Sequence, residues 1–381
     1  PGGIGFKGTG TTTSGKDLSS FVKKYPYGVK LSQAGVQAIE NALENETGFD
    51  VGSVEYAEDL HQQARDIYLD HLKDYLSSFG PSTLSQREKP DFSELKIGLD
   101  CANGASYETA IAAFEAAGAS VTAIHASPDG ININAGCGST HPEDLQKAVL
   151  SSSADLGLAF DGDGDRLGVV TPSGQMIFPD RQLMLYAADV LEKNPGATII
   201  YDVKCTRNLA PWIRERGGEP LMWCTGHSLV KAKMKETGAK LAGEMSGHIF
   251  FNDRWYGFDD GLYTAARLLE ILARVPDPGA LLEGLPDASS TPELQVPLAE
   301  GENAALVQAL RERGHFEGAE IITVDGLRVE YPDGFGLVRA SNTTPVLVLR
   351  FEADDAAALA RIQQAVKAAL LAIRPDLSIP F

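Results

Sequence analysis

The residues best equipped for chemistry stand together at Asp161-Gly162-Asp163-Gly164-Asp165-Arg166. Carboxylates at alternate positions, separated by glycines that let the backbone curl, can converge on one hard divalent cation. An EF-hand is the obvious competitor, but its loop needs Gly at the sixth position and Glu at the twelfth. Here Arg166 and Pro172 stand there, so that reading is rejected. The bland alternative is an acidic turn, yet acids packed at a strand end repel one another unless a cation is present. A loop with so few protein ligands leaves room for a phosphate oxygen, which points to Mg²⁺.

Gly243-Glu244-Met245-Ser246-Gly247-His248 is a second Gly-flanked turn. Its Glu and Ser suit hydroxyl recognition, and His248 can shuttle a proton near neutral pH. Thr225-Gly226-His227-Ser228 and Lys204 are supporting candidates, with a satisfied structural histidine as the competing reading of His248. A third cluster, Arg339-Ala340-Ser341-Asn342-Thr343-Thr344-Pro345, gathers a guanidinium, hydroxyls and an amide on one tight loop, the makings of a phosphate cradle rather than a plain hairpin turn. Gly10-Thr11-Thr12-Thr13-Ser14-Gly15-Lys16 imitates a nucleotide-binding P-loop, but Asp17 follows where a Mg²⁺-binding hydroxyl is required, and no apolar strand precedes it. Lys231, Lys233 and Lys235 read as the solvated face of a helix.

The elements that must position these clusters follow α/β grammar. Lys96 to Asp100 is a short apolar strand ending in polar Cys101-Ala102-Asn103-Gly104; a helix from about Tyr107 to Ala117 stops at Gly118, and Ser120 to Ile124 is another strand. The pattern returns with strand Thr198 to Asp202, a helix through Arg216, a Gly217-Gly218 stop and strand Pro220 to Trp223. Each unit then ends an apolar strand in an acid-rich loop: Leu156 to Phe160 before Asp161, and Lys240 to Ala242 before Glu244. The repeat predicts an internal duplication of one α/β domain, with its functional loops at the carboxyl ends of strands. Beyond the Pro-rich stretch Pro276 to Pro292, a helix near Asn303 to Arg313, strands from Glu320 to Phe351 and a last helix with Leu359, Ile362, Val366, Leu370 and Ile373 on one face predict a separate α+β domain. Near the start, a Gly-rich stretch and a weak helix over Gln33 to Leu43 precede an amphipathic helix over 54–78 and a linker from Pro81 to Pro90.

At 381 residues the chain has length for two or three domains, and 43 % hydrophobic with 22 % charged residues excludes wholesale disorder. A net charge of −19 repels phosphate backbones, so nucleic-acid binding is excluded as the main task. Uninterrupted apolar stretches fall short of the ~20 residues of a membrane span. Cys101, Cys137, Cys205 and Cys224 are scattered, with no CxxC pair, which fits a reduced, cytoplasmic setting without disulfides or zinc.

Taken together, the three loops resemble those of the α-D-phosphohexomutase superfamily, nearest its bacterial phosphomannomutase/phosphoglucomutase branch, from about residue 54 onward. Asp202-Val203-Lys204-Cys205-Thr206-Arg207 and Arg254 to Gly261 resemble the same branch. The resemblance implies repeated α/β domains around a cleft with a C-terminal α+β lid. The domains expected are 1–53 as a remnant of the first, 54–172 with the metal loop, 173–288 with the sugar loop and 289–381 with the phosphate loop. It implies a phosphoserine that exchanges phosphoryl groups with a hexose 1- or 6-phosphate of mannose or glucose, through a hexose 1,6-bisphosphate. By the same resemblance, Asp161, Asp163 and Asp165 hold Mg²⁺ and Arg166 lies beside the serine. Glu244 and Ser246 bind sugar hydroxyls. Lys204, His227 and His248 sit near the substrate, His248 as candidate acid/base, and Arg339, Ser341, Asn342 and Thr343 take the non-reacting phosphate.

Two departures stand out. The family's nucleophile lies in a Ser-His-Asn-Pro string, which this sequence lacks; its first histidine is His61. Pro1-Gly2-Gly3-Ile4 is similar to the residues that come after that serine in some members, so the chain is expected to begin just past it. Ser14 lacks every neighbour that loop supplies. A domain-truncated sugar-phosphate binding protein is therefore the alternative to an active mutase. Separately, Asp129-Gly130-Ile131-Asn132-Ile133-Asn134 through His141-Pro142 resembles the phosphoglucosamine mutase branch, whereas Met245 favours the mannose/glucose branch.

Overall fold

The structure is a computed structural model that describes residues 58–77, 92, 95–342 and 344–381. The P-loop-like segment with Ser14, the expected 1–53 remnant with its helix over Gln33 to Leu43, the linker from Pro81 to Pro90 and Thr343 lie outside the described residues. The chain divides into two compact units, Pro1–Asp70 and His71–Phe381. Helix α1 (Glu58–Ser77) contributes the described residues of the first unit and the opening of the second.

Two sheets of the second unit share one topology. In the first, β1 (Lys96–Asp100) lies between parallel neighbours β2 (Ser120–Ile124) and β3 (Leu156–Phe160); β4 (Leu167–Val170) and β5 (Met176–Ile177) continue it antiparallel, in the order β2-β1-β3-β4-β5. In the second, β6 (Thr198–Asp202) lies between parallel β7 (Glu219–Trp223) and β8 (Leu241–Gly243), with antiparallel β9 (Ile249–Phe251) outside, in the order β7-β6-β8-β9. The expected duplication is therefore visible as one strand order used twice. Parallel neighbours need a crossover, supplied here by α2 (Thr109–Ala116) and α3 (Glu143–Ser152) in one sheet and α5 (Leu209–Glu215) and α6 (His227–Thr237) in the other. Covered on both faces, β3 is buried at every residue, which is why it reads as an unbroken apolar run. Left-handed residues end two of these helices: Ser153 after α3 and Gly238 after α6.

Helices α4 (Pro179–Lys193) and α7 (Gly261–Leu272) are buried almost all round. Helix α7 packs against β3 and β4 of the first sheet and β9 of the second, so it ties the duplicated halves together. Its polar residues are buried with it. Arg267, 0 % exposed, lies 2.7 Å from Asp189 Oδ2 and 2.8 Å from Asp253 Oδ1, and Glu270 takes Arg254 at 2.7 Å.

The short helix α8 (Pro278–Glu283) interrupts the Pro-rich stretch, and a six-stranded sheet follows. It has the order β10-β15-β14-β13-β12, from Ser289–Ser290, Val346–Ala353, Gly334–Ala340, Leu327–Tyr331 and Glu320–Ile322, with β11 (Leu294–Pro297) also on β15. Helices α9 (Glu302–Arg313) and α10 (Ala356–Ile373) cover one face through Leu306, Leu310, Ile362, Val366 and Leu370. By length and composition α10 is the one described helix long and apolar enough to cross a membrane, but its stripe of Ala358, Ile362, Val366 and Leu370 is buried in this domain core. The other face carries buried Arg328, Arg350 and Glu352. They grip residues 203–207: Arg328 Nη1 donates to the Cys205 carbonyl at 2.8 Å, Arg350 to that of Lys204, and Glu352 accepts from Thr206 Oγ1 at 2.8 Å.

Candidate functional site

The acidic, Glu244, Thr225, Lys204 and Ser341 segments all fall at or just past strand ends. Beyond β3, the carboxylates of Asp161, Asp163 and Asp165 each bring an oxygen within 4.8 Å of the others. The loop closes on itself: Gly164 N donates to Asp161 O at 3.2 Å and Arg166 N to Asp161 Oδ1 at 3.2 Å. Gly164 has φ +78°, and a Cβ there would strike Ser106 Oγ, so glycine is needed for both conformation and space. Burial, opposed by His248 but reinforced by Asp161 and Asp163, pushes Asp165 up to about 6, and burial with the Asp163 charge raises Asp161. Asp165 Oδ1 is buried without a hydrogen-bond partner. Crowded oxygens, raised acids and an orphaned carboxylate oxygen are what a hard divalent cation would relieve, so the residues fit Mg²⁺.

Arg166 turns from this loop toward the second sheet. Its Nε lies 3.3 Å from Asp161 Oδ2 and 3.2 Å from His248 Nε2, and the two backbones form an isolated antiparallel bridge. His248 closes the loop between β8 and β9, where Glu244 N donates to its carbonyl at 2.9 Å. Its Nδ1 stands 3.1 Å from Asp259 Oδ2 and 3.5 Å from Asp165 Oδ2, and its ring stacks on His227 at 5.8 Å. Burial lowers the affinity of His248 for a proton, but the Asp259 carboxylate beside Nδ1 and the Asp165 charge outweigh it and the net direction is up. Glu244, 2 % exposed, accepts from Gly226 N at 2.8 Å and from Ser246 Oγ at 3.0 Å; burial and the Asp202 charge raise its pKa.

Lys204 follows β6, its Nζ 2.6 Å from Glu293 Oε1 and 3.9 Å from Asp202 Oδ2. Burial alone would neutralise it, but those acids more than compensate and hold it cationic. His227 opens α6, and its exposed ring lies 3.8 Å from Asp259. On the C-terminal sheet, Arg339 is the last residue but one of β14, with Nε 3.1 Å from Asp325 Oδ2 and Nη2 buried without a hydrogen-bond partner. Ser341 Oγ pairs with Thr344 Oγ1 at 3.0 Å, and Asn342 is exposed. Asn303 Nδ2 braces the loop from below by donating to the Ser341 carbonyl at 3.3 Å.

The loops are joined by contacts. Asp325 Oδ2 accepts from both Arg339 Nε and Thr225 N; Thr225 Oγ1 donates to Asp202 Oδ2 at 2.8 Å; and Asp202 Oδ1 accepts from Met245 N at 3.3 Å. The path thus runs from the guanidinium to the Glu244 loop, and from there through His248 and Arg166 to the carboxylates. Asp325, Asp202, Asp259 and Glu293 were not singled out in sequence. Two of them carried a signal as members of longer runs: Asp202, an acid ending an apolar strand as Asp100 does in the first copy, and Asp259, within Arg254 to Gly261. The lysine run is corrected in part. Lys231 is half-buried and paired, its Nζ 2.8 Å from Asp259 Oδ1 beside the candidate site. Lys233 lies over the Trp223 ring at 4.3 Å, and Lys235 alone is exposed as expected. A cation trap at one end, a guanidinium with open valence at the other and hydroxyl-binding groups between them suit a small polyhydroxylated phosphate.

Comparison with known proteins agrees with this geometry. The family models described as phosphoglucomutase/phosphomannomutase alpha/beta/alpha domain II, alpha/beta/alpha domain III and C-terminal domain match residues 66–174, 178–288 and 293–369. A phosphoglucomutase of Neisseria gonorrhoeae is 55 % identical over 281 residues, 72 % of this chain and 61 % of that protein, so the chain spans less than two thirds of this relative's length. A phosphomannomutase/phosphoglucomutase of Pseudomonas aeruginosa is 46 % identical over 359 residues, 93 % of this chain and 74 % of its own. The crystal structure of a phosphoglucomutase/phosphomannomutase family protein from Burkholderia thailandensis, 51 % identical, superposes with a TM-score of 0.74 over 93 % of this chain and 73 % of that one.

Proposed function

The chain belongs to the phosphoglucomutase/phosphomannomutase family, and from that premise we propose that it binds hexose phosphates as part of a phosphohexomutase. The reaction is the interconversion of hexose 1-phosphate and hexose 6-phosphate, of mannose or glucose, through hexose 1,6-bisphosphate. The observation that carries this reading is the unbroken run of contacts from Arg339 to the Asp161–Asp165 loop, which sets an anion clamp and a cation trap on one framework. We read 54–172, 173–288 and 289–381 as its domains, and a cytoplasmic setting fits the unpaired, mostly buried cysteines.

In the first half-reaction a sugar hydroxyl oxygen attacks a phosphoserine phosphorus; the new O–P bond forms as the serine Oγ–P bond breaks, and the hydroxyl proton passes to a base. Turned around in the cleft, the bisphosphate returns its other phosphoryl group to the serine. In this second half-reaction the serine Oγ attacks the other phosphorus, that sugar O–P bond breaks, and the proton returns to the freed sugar oxygen. Asp161, Asp163 and Asp165 would hold Mg²⁺, which when bound neutralises charge on the transferring phosphoryl oxygens. The chain's own side chains do the remaining work. Arg339, with Ser341, Asn342 and Thr343, holds the non-reacting phosphate. Glu244 and Ser246 orient the sugar hydroxyls, with His227 beside them. Lys204 and Arg166 bring positive charge to the reacting end, and His248 is the acid/base.

A second reading is a sugar-phosphate binder that does not transfer phosphate, which the same contacts between Arg339 and the Asp161–Asp165 loop would serve without turnover. Calorimetry with glucose 1-phosphate, beside a mutase assay primed with glucose 1,6-bisphosphate, separates the two. Binding with strongly depressed turnover is expected of these 381 residues. Turnover at the level of other family members would overturn the second reading, and absent binding would overturn both.

A further inference from the structure

We infer that Asp259 and Lys231 are positioning residues that fix the tautomer and aim of His248; neither touches substrate, and the inference rests on the mutase reading for its functional meaning. Arginine stays protonated at any working pH, so the Arg166 Nε–H that points at His248 Nε2 across 3.2 Å must find a lone pair there. In the neutral ring the proton then resides on Nδ1. The structure independently surrounds Nδ1 with acceptors, Asp259 Oδ2 at 3.1 Å and Asp165 Oδ2 at 3.5 Å. Two sides of one ring thus give the same answer.

Asp259 is the better placed of the two acceptors, and it is itself held. Its other oxygen, Oδ1, lies 2.8 Å from Lys231 Nζ, and its backbone is bridged to Phe250. The carboxylate is only 6 % exposed, so solvent does little to screen either contact. Lys231 lies one turn beyond His227 on α6, so a single helix face supplies the ring that stacks on His248 and the ammonium that anchors its partner. Charged groups reach His248 from each neighbouring element: Asp165 and Arg166 from the first sheet, Glu244 from its own loop, Asp259 from the loop before α7. Of these, Asp259 has its remaining oxygen secured by a dedicated cation. The neutral ring then carries its proton on the Nδ1 that faces the Asp259 carboxylate and a lone pair on the Nε2 at its other side. That is the arrangement a proton acceptor needs.

The test is a long-range ¹H–¹⁵N spectrum of the histidine-labelled chain near pH 9, with His248 assigned by loss of its signals in H248Q. A protonated Nδ1 and bare Nε2 are expected, with mixed tautomers in K231M and restoration in K231R. A dominant Nε2–H form, or a K231M spectrum identical to the parent, overturns the inference whether or not the protein turns over sugar phosphate. In an activity-competent protein, K231M should lower kcat about 10- to 100-fold, the range for groups that orient a site residue, with glucose 1-phosphate affinity within about twofold. Equal losses in kcat and affinity would mean a merely structural staple and would also overturn it. Absence of turnover with every sugar phosphate would count against the mutase reading alone, because the spectrum decides the tautomer by itself.

Discussion

Arg166 and His248 are joined twice: their backbones form a single antiparallel bridge, and Arg166 Nε lies 3.2 Å from His248 Nε2. Each residue closes the functional loop of one copy of the duplicated domain. The seam between the copies is therefore the middle of the candidate site, and a change on either side should be felt through this pair. A carboxylate lost from the first copy should weaken cation binding without unfolding the second.

That expectation is sharpest at Asp163, exposed and free of the structural hydrogen bonds that Asp161 makes. Mg²⁺ should raise the melting temperature of the unaltered protein, by the equivalent of about 2.7 kcal/mol when the ion is at a hundredfold excess over its dissociation constant. D163N should lose most of that rise while melting, without metal, at or above the parent temperature, since one source of repulsion is gone. Melting curves with Mg²⁺ and with a chelator decide it; an undiminished Mg²⁺ response in D163N would place the cation elsewhere.

At the opposite end, R339A removes the guanidinium whose Nη2 has no hydrogen-bond partner within the fold and leaves Asp325 with one neighbour fewer. A charge-assisted hydrogen bond is worth about 1.5–3 kcal/mol, so affinity for glucose 1-phosphate should fall about 10- to 100-fold. R339K should recover part of it, because a single ammonium cannot serve both Asp325 and a phosphate as a fork does. Isothermal calorimetry at fixed ionic strength reads the difference, and an R339A affinity equal to the parent's would remove Arg339 from the clamp.

Those loops were legible because their composition is costly without a ligand: acids at alternate positions beside a buried strand have no cheap structural purpose. The duplication was legible because strand, polar end, helix and glycine stop recur in the same order. Lys231 was not, since its partner Asp259 lies 28 residues away and a lysine run on a helix looks the same whether or not an acid meets it. Arg328, Arg350 and Glu352 were missed for a related reason. They alternate with apolar residues as a solvated strand face does, and their burial comes from residues 203–207 of the neighbouring domain, which no local pattern encodes.

The buried ion-pair cluster on α7 sets an acid limit. Burial raises Asp189, but the charge and hydrogen bond of Arg267, with help from Arg274, bring it below its ordinary 3.8; Glu270 ends below 4.5 because Arg254 and Tyr75 outweigh burial. A carboxylate whose pKa is lower in the folded state contributes stability that is complete above its unfolded pKa and disappears as pH falls through the folded one. Urea midpoints should therefore be insensitive to these groups above about pH 5 and fall steadily below about pH 4. R267M, which leaves Asp189 and Asp253 buried without that cation, should cost about 3–5 kcal/mol. It should also flatten the acid limb of the profile, since Asp189 loses the cation that does most to lower its pKa. A parent-like pH profile in R267M would show the cluster to be electrostatically idle.

Gly104 offers a way to disturb the cation loop without touching a ligand. The turn after β1 is built from Ala102 and Asn103 in left-handed conformation, at φ 52° and 47°, and it brings Gly104 flat against Gly162. A Cβ on Gly104 would lie 2.6 Å from Gly162 Cα and 2.7 Å from its carbonyl carbon, and it would strike the carbonyl oxygen. These are backbone atoms, so no rotamer change relieves them, and the neighbouring bond from Ala105 N to Gly162 O at 2.8 Å fixes the approach. G104A should therefore cost about 1–3 kcal/mol, as overpacking does, and push Gly162 aside, spreading Asp161 and Asp163. The Mg²⁺-induced rise in melting temperature should shrink, while calorimetric affinity for glucose 1-phosphate through the Arg339 clamp stays within about twofold, less than the ~1.4 kcal/mol of a tenfold change. Gly130 supplies the control: at φ +91° with nothing within 4 Å of a Cβ, G130A should carry only the backbone strain of about 1–2 kcal/mol and keep the full Mg²⁺ response. If the two variants lose that response equally, backbone contact between the Gly104 turn and Gly162 is not what shapes the cation loop.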